Sequence, residues 1–219
     1  MKNIIVLFTI IFSFSALKAQ IINYGADHSN AASTVQLYGG LKYGVILGVG
    51  YLHKLEIKNH PIWIGAQIES PFGENILDDH KEVLSAQGTI YQKGSFRVNS
   101  SLALIHRATQ NPYANMNNLG AEISLNTGIF RPKWFLAGEV SFDQPFSTYI
   151  THHEAYREIY PQVRDGWYKT SGGNMRAGIQ GGYSLKQFDV NLQIGPSLNS
   201  AGRMNMLFFY GILGVNWRI

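Results

Sequence analysis

The sequence contains no cysteine among its 219 residues, and this absence excludes several kinds of chemistry at once. Without thiols, the chain cannot form disulfide bridges, bind a metal through thiolates or use a cysteine nucleophile. Attachment of a lipid to an N-terminal cysteine is excluded for the same reason.

Charged residues are also scarce, at 15% of the chain against about 25% in typical soluble domains. Leaving Lys2 and Lys18 out of the 18 basic residues gives 16, against 14 acidic ones, so the remaining chain is almost neutral. No basic stripe with interleaved aromatic residues occurs, and we therefore expect no nucleic-acid partner. No apolar run of about 18 residues follows position 20, so no transmembrane helix is predicted.

The first 19 residues have the layout of a secretory signal peptide. A short basic start is followed by an apolar run from Ile4 to Phe14 and by small residues that end at Ala19. Such a run is too short to cross a bilayer core of about 30 Å as a helix, which favours cleavage after Ala19 over an uncleaved anchor. Residues 20–219 would then form a single exported domain.

The remaining sequence alternates between apolar and polar residues with a period of two, which is typical of β-strands. In 174–185, Met175 and Ile179 share one face, whereas Arg176 and Gln180 share the other. A membrane protein without helices must be a closed barrel, because hydrocarbon cannot satisfy an open sheet edge. We therefore predict an all-β, antiparallel, up-and-down transmembrane barrel, with apolar side chains facing lipid and polar ones facing the lumen.

About ten strands are predicted, and their connections alternate between short turns and longer loops. The strands lie near 34–42, 45–57, 61–72, 84–92, 94–108, 119–130, 133–147, 174–185, 187–198 and 204–218. The longer loops are predicted at 73–83, 109–118, 148–173 and 199–203. Short periplasmic turns and longer external loops are typical of outer-membrane barrels. An eight-stranded barrel, in which the first or the fourth of these segments is a loop, is the alternative.

Aromatic residues near the predicted short turns and the chain end indicate a girdle at the periplasmic membrane interface. Its predicted members are Trp63, Trp134, Phe188 and Trp217.

The last strand ends in alternating apolar residues, Leu213, Val215, Trp217 and Ile219. This ending resembles the C-terminal strand signal of outer-membrane β-barrel proteins, and the whole chain resembles, in its pattern, small Gram-negative barrels of the OmpX or OmpW type. The resemblance implies a location in the outer membrane, contact with its lipid and lipopolysaccharide, and recognition of the last strand by the barrel assembly machinery. It also implies roles that range from adhesion to porin-like passage of small solutes.

Charged side chains on the polar strand faces are predicted to point into the lumen, with opposite charges at matching heights. They are Arg97, Arg107, Glu122, Glu139, Asp143, Arg176, Asp189 and Arg218. The matched pairs are Arg107 with Glu122, Asp143 with Arg176, and Asp189 with Arg218. One hypothesis is that these matched charges form salt bridges across the lumen and keep it closed to large solutes. The other is that these groups solvate a polar interior without specific pairing.

The loop 148–173 is the predicted recognition surface for an unidentified external ligand. Thr151 precedes Glu154 by three positions, a capping-box spacing that predicts a short helix ending before Pro161. The side chains suited to recognition are His152, His153, Glu154, Arg157, Arg164, Asp165 and Trp167.

Two chemical alternatives also arise from the sequence. His152, His153 and Glu154 suggest a metal site together with residues 78–80, but adjacent histidines on a helix point about 100° apart, so no metal or other cofactor is predicted. His106, Asp143 and Ser147 suggest an outer-leaflet enzyme acting on lipid or peptide, but no motif links them and no catalytic residue is predicted. We therefore expect a structural, binding or small-solute passage role. A barrel enzyme and a soluble, lipocalin-like periplasmic binder are the alternatives.

Overall fold

The computed structural model describes residues 22–26, 31–58, 60–72, 78–170, 172–199 and 203–219. The predicted signal peptide lies outside the described residues, as do parts of the predicted loops 73–83 and 199–203. Among the residues that the structure describes, no helix is both long and apolar enough to cross a membrane.

Ten antiparallel strands close into a barrel, and an eleventh strand extends it at one edge. The strands are β1 (Ser33–Leu41), β2 (Val45–Ile57), β3 (His60–Pro71), β4 (Asp79–Lys93), β5 (Phe96–Gln110), β6 (Ala114–Phe130), β7 (Trp134–His152), β8 (Gly166–Lys169), β9 (Asn174–Ser184), β10 (Phe188–Asn199) and β11 (Met204–Arg218). The β1–β11 and β6–β7 pairings complete the ring, whereas β8 pairs with β7 alone. The ten-stranded prediction is confirmed and the eight-stranded alternative is wrong.

Apolar side chains cover the outside of the barrel, whereas its inside is mainly polar and contains three smaller apolar clusters among the described residues. Leu84 on β4 is 62% exposed and Ile179 on β9 is 55% exposed, whereas Gln36 and Asn99 are fully buried. Because the strands alternate, each one presents one apolar and one polar face. This arrangement is the reverse of the apolar interior that the lipocalin-like alternative requires.

Connections differ strongly between the two ends of the barrel. At one end, which we call the turn end, residues 58–59, 94–95, 131–133 and 185–187 link neighbouring strands. Gly94 has φ 60°, a left-handed conformation that glycine adopts without strain, and it makes the β4–β5 turn possible. The opposite end, the loop end, carries the connections after β1, β3, β5, β7 and β10.

The predicted loop 109–118 is wrong, because β5 and β6 continue through most of it. Only residues 111–113 form a turn, in which the side-chain oxygen of Asn111 accepts hydrogen bonds from the backbone N–H groups of Tyr113 and Ala114, both at 2.9 Å. The asparagine-rich start of β6 resembles a loop in composition, but it pairs with β5 and β7 along its whole length.

The barrel wall is much taller on one side than on the other. Strand β7 has 19 residues and β6 has 17, against nine in β1. At about 3.4 Å per residue, β7 is roughly twice as long as β1, and the excess lies at the loop end. The long loop begins there with helix α1 (Glu154–Ile159), followed by β8, which folds back onto β7. The predicted short helix is confirmed, although Thr151 belongs to β7 and the N-cap residue is His153, which makes no side-chain cap hydrogen bond.

Candidate functional site

Six of the eight predicted lumen charges meet as three ion pairs. Nη2 of Arg176 lies 2.8 Å from Oε1 of Glu122, and Nη2 of Arg218 lies 3.5 Å from Oδ1 of Asp189. Arg107 forms the third pair with Asp143. Arg107 and Arg176 each reach past a neighbouring strand, because their partners lie two strands away around the barrel. Of the predicted pairs only Asp189–Arg218 is found, whereas Arg107 and Arg176 have exchanged their predicted partners, Glu122 and Asp143. The charges are therefore paired specifically, but mostly not with the predicted partners.

The other two predicted charges have different surroundings. Glu139 accepts hydrogen bonds from the hydroxyl of Tyr210 at 2.5 Å and from Nε2 of Gln193 at 2.9 Å. Arg97 forms no salt bridge within the described part of the chain, and its buried Nε has no hydrogen-bond partner there.

A buried charge cluster that the sequence analysis missed lies beside the three ion pairs. Glu69 on β3 is completely buried, with Lys42 Nζ and Lys81 Nζ each 3.1 Å from its carboxylate. The hydroxyl of Tyr38 donates a further hydrogen bond to Glu69 at 3.3 Å. The predicted β4 began at residue 84, which left Lys81 in a loop, and Lys42 follows the end of β1. The parity of Glu69 with Gln67 on β3 was the available signal for its inward direction.

These charges form a layer across the lumen between two cavities. We define the charge layer as Lys42, Glu69, Lys81, Arg107, Glu122, Asp143 and Arg176. On its loop-end side lies a vestibule of about 710 Å³, and on the other side lies an inner cavity of about 80 Å³. Lys42 and Arg176 line both spaces, so they mark the boundary between them. The inner cavity has room for only a few water molecules.

The N-terminal segment 22–26 closes the lumen at the turn end. Ile22 and Tyr24 are buried against aromatic side chains of the barrel wall, and the rings of Tyr24 and Phe130 meet edge to face at 5.9 Å. Nδ2 of Asn23 donates to the Arg131 carbonyl at 2.9 Å and to Oγ of Ser184 at 2.8 Å. The fit is close, because a Cβ on Gly25 would lie only 2.5 Å from a backbone carbon of β6.

Trp63 packs against the segment 22–26 and does not belong to the predicted aromatic girdle. We call the segment 22–26, Trp63 and the buried apolar side chains around them the plug. The Trp63 side chain is 2% exposed and packs in a cluster with Ile22, Tyr24, Leu52, Phe130, Phe135 and Ala137. Trp63 shares the lumen-facing parity of Gln67 and Glu69, which outweighs its nearness to a turn. The phenyl rings of Phe130 and Phe135 stack at 5.4 Å beside it.

The other three predicted girdle residues lie on the outer surface at the turn end. Trp134 and Trp217 are 39% and 40% exposed. Phe188 stacks on Trp217 at 6.4 Å, and the Arg131 guanidinium lies 5.5 Å from the Trp134 ring centre.

At the loop end, three predicted recognition residues form one electrostatic cluster. Oδ1 of Asp165 accepts a hydrogen bond from the backbone N–H of His152 at 2.9 Å, and Oδ2 lies 2.5 Å from Nη2 of Arg157. The backbone hydrogen bond, with the side chains of His152 and Arg157, holds the pKa of Asp165 below its usual range. This cluster ties the end of β7 to the chain that precedes β8.

Exposed aromatic residues surround this cluster. The His152 ring stacks on Tyr156 at 5.3 Å, while Trp167 packs against Tyr149 at 5.3 Å and is 62% exposed. We call residues 146–169, which include the end of β7, α1 and β8, the external hairpin. Glu154 begins α1, and the backbone carbonyl of Arg164 accepts a hydrogen bond from the Tyr168 hydroxyl.

The metal and catalytic sets suggested by the sequence are not assembled. Nδ1 of His152 lies near Asp165, whereas Nδ1 of His153 lies 3.2 Å from the Pro112 carbonyl, so the two imidazoles have different partners. His106 is on the outer face of β5, Asp143 is in the lumen, and Oγ of Ser147 donates to the Tyr168 carbonyl at 3.4 Å. No nucleophile–base contact exists among these three residues.

Comparisons with known proteins find similarity in structure but not in sequence. No protein-family model matches the chain, and no curated protein sequence matches it. The chain is similar to the crystal structure of the outer membrane protease OmpT from Escherichia coli, with 9% identity, a TM-score of 0.41, and coverage of 86% of this chain and 94% of that chain.

Proposed function

We propose that the protein is a small outer-membrane barrel, of the OmpX or OmpW kind, that acts as a closed binding scaffold and not as an open solute pore. The apolar outer surface supports a lipid environment, because so large an exposed apolar area would cause association in water. In this proposal the turn end faces the periplasm, the loop end faces outward, and the barrel assembly machinery recognises β11.

The observation that carries the proposal is the double closure of the lumen. The charge layer closes the floor of the vestibule, and the segment 22–26 with Trp63 fills the turn end. A solute would have to separate buried ion pairs and then displace a packed aromatic cluster. The lumen is therefore better suited to holding the barrel rigid than to conducting.

The external hairpin is the proposed binding surface. It combines exposed Trp167 and Tyr160 with Arg157 and Arg164, and these three residue types dominate the binding energy of many protein interfaces. The tall β6–β7 wall raises this surface above the rest of the loop end. We propose an extracellular protein or peptide as the ligand. We propose no catalytic role, because His106, Asp143 and Ser147 face different surroundings.

Planar-bilayer recording of the full-length mature protein tests the closed lumen. The wild-type protein should insert without stable conductance steps, whereas a variant that lacks residues 22–26 should show small, flickering steps, because the charge layer remains. Stable wild-type steps would overturn the proposal. Heat-induced unfolding of both proteins in detergent verifies that the deletion variant is folded.

A second experiment tests the membrane environment. The protein should remain monodisperse in detergent micelles and associate when the detergent is removed. A protein that stays monodisperse without detergent would contradict placement in a membrane.

A further inference from the structure

Two histidines and a glutamate converge on the outward-facing side of β4 and β5, away from the external hairpin. His80 and Glu82 lie on β4, and His106 lies directly opposite Glu82 on β5. Nδ1 of His106 is 3.0 Å from Oε2 of Glu82, and Nε2 of His80 is 3.9 Å from Oε1 of the same carboxylate. One ligand atom from each residue lies within 4.8 Å of the other two.

The oxygen atoms around His106 suit an imidazole that binds a metal ion. Its Nδ1 faces the Glu82 carboxylate, and its Nε2 faces the side-chain oxygen of Asn117 at 3.2 Å. Both neighbours are acceptors, yet a neutral imidazole carries only one N–H. If Nε2 donates to Asn117, the lone pair of Nδ1 points toward a carboxylate, which is favourable when a metal ion lies between them.

Asn117 and His80 each add to this arrangement. Metal-binding histidines usually donate their second ring N–H to a nearby oxygen, which fixes the tautomer and the orientation of the ring. Asn117 is placed to accept such a bond from His106. In His80, Nδ1 is shielded from solvent and has no hydrogen-bond partner among the described residues, which leaves Nε2 as the nitrogen facing Glu82.

We propose that His80, Glu82 and His106 form a binding site for a first-row divalent metal ion, for which Zn²⁺ is the probe. Two imidazoles and one carboxylate are a frequent zinc ligand set that leaves a coordination position open. Bonds of about 2.0–2.2 Å require the side chains to approach one another further. They have room to do so, because Glu82 is half exposed and His106 is one-third exposed.

The site lies at the edge of the apolar surface. The next outward-facing residues toward the turn end are Leu84 on β4 and Leu104 on β5, and both are more than half exposed. The metal ligands therefore lie at the loop-end margin of the apolar band, where Glu82 is level with exposed Ile68 on β3 and His106 with exposed Leu119 on β6. Metal binding at this site does not depend on the proposed binding role of the external hairpin.

Calorimetric titration of the tag-free, full-length mature protein with ZnCl₂ in detergent micelles tests the proposal. We expect one ion per chain, with affinity at least about tenfold lower in His106→Ala and in Glu82→Gln. Asn117→Ala should weaken binding by roughly tenfold or more, as loss of an orienting partner does elsewhere. Co²⁺ should give visible d–d absorption in the wild type that His106→Ala removes.

Two matched histidine variants decide the location of the bound metal. His60→Ala, at the exposed start of β3 near the turn end, should leave binding unchanged. His152→Ala should also leave it unchanged, and loss of binding in this variant would move the site to the external hairpin and overturn the proposal. Absence of binding, or binding unaffected by His106→Ala, would overturn it too. Because all three ligands lie on the outer surface, each variant should retain the wild-type circular dichroism spectrum.

Discussion

The two ends of the lumen are closed by opposite means. At the turn end, Trp63 and the segment 22–26 contribute to a buried apolar cluster of mainly aromatic side chains. At the loop end, Glu69 and its two lysines lie in a layer of buried charges below a large vestibule. One barrel therefore contains an apolar closure and an ionic closure about half the length of β3 apart, since that 12-residue strand carries both Trp63 and Glu69.

The comparison shows that a polar lumen does not require polar closure at both ends. The plug stabilises the barrel by packing, so truncating one of its side chains lowers the free energy of unfolding by leaving a cavity and removing contacts. The charge layer stabilises only while its charges remain matched, because a buried charge without its partner costs several kcal/mol. The stability lost by a substitution in the charge layer should therefore be recovered by removing the opposite charges, whereas no change of charge should recover the stability lost by truncation in the plug.

Removing the largest side chain of the plug should have the largest effect. Trp63→Ala is expected to lower the free energy of unfolding by about 3–5 kcal/mol, the usual cost of truncating a buried aromatic residue. Urea unfolding in phospholipid vesicles measures this loss. Trp134→Ala, the same change on the outer surface of the same end, is the control and should cost less than about half as much. Equal losses would show that Trp63 is not packed inside the lumen.

Neutralising the centre of the charge layer should have the next largest effect. Glu69→Gln keeps the side-chain shape but leaves Lys42 and Lys81 without their shared partner, which should cost about 3 kcal/mol. This is the lower end of the range for breaking a buried pair, since vestibule water can approach the ammonium groups. Urea unfolding in phospholipid vesicles measures this loss as well.

A compensating variant separates charge imbalance from lost packing. Combining Glu69→Gln with Lys42→Met and Lys81→Met removes all three charges and should recover most of the lost stability. Recovery would not be expected if the glutamate mattered through its shape alone, because its shape is already retained in Glu69→Gln.

The period-two alternation predicted the barrel, the strand number and the outward apolar face, because each depends only on local patterning. It did not predict the plug, since the plug depends on where a short N-terminal segment folds back and on the partners it meets there. The prediction for Trp63 was wrong because nearness to a turn does not fix the direction of a side chain, whereas its parity with Gln67 does. Lys81 was missed because Lys81 and Glu82 resemble a polar loop, although one faces the lumen and the other faces outward.

The sequence predicted which charges lie in the lumen, but it did not predict most of their partners. Height along a strand follows from the sequence, but which side chains meet across the lumen depends on barrel circumference and strand tilt. Arg107 and Arg176 each pair two strands away, which no adjacent-strand argument identifies.

A more exposed pair of the charge layer should be less sensitive than its buried centre. Asp143→Asn removes the partner of Arg107, whose side chain is one-quarter exposed at the vestibule, and we expect a loss of about 1–2 kcal/mol in the free energy of unfolding. High salt should reduce this loss but leave that of Glu69→Gln almost unchanged, because screening acts mainly on accessible charges. Equal salt dependence of the two variants would show that the Arg107–Asp143 pair is as well shielded from solvent as the ion pairs of Glu69.

The smallest effect should come from Asp165 in the external hairpin, where charges pair in open solvent. Because the pKa of Asp165 is lower in the folded hairpin than in the unfolded chain, its contribution is fully present above about pH 4, the ordinary aspartate value. The contribution is lost as the pH falls through the lower, folded-state pKa, since protonation weakens the contacts with His152 and Arg157. Hydrogen exchange of residues 150–169, corrected for intrinsic rates, should show steady protection from pH 7 to 5 and a local decrease below about pH 4. Asp165→Asn should already show the lower protection at pH 7, whereas the strands around Glu69 should show no change in either experiment.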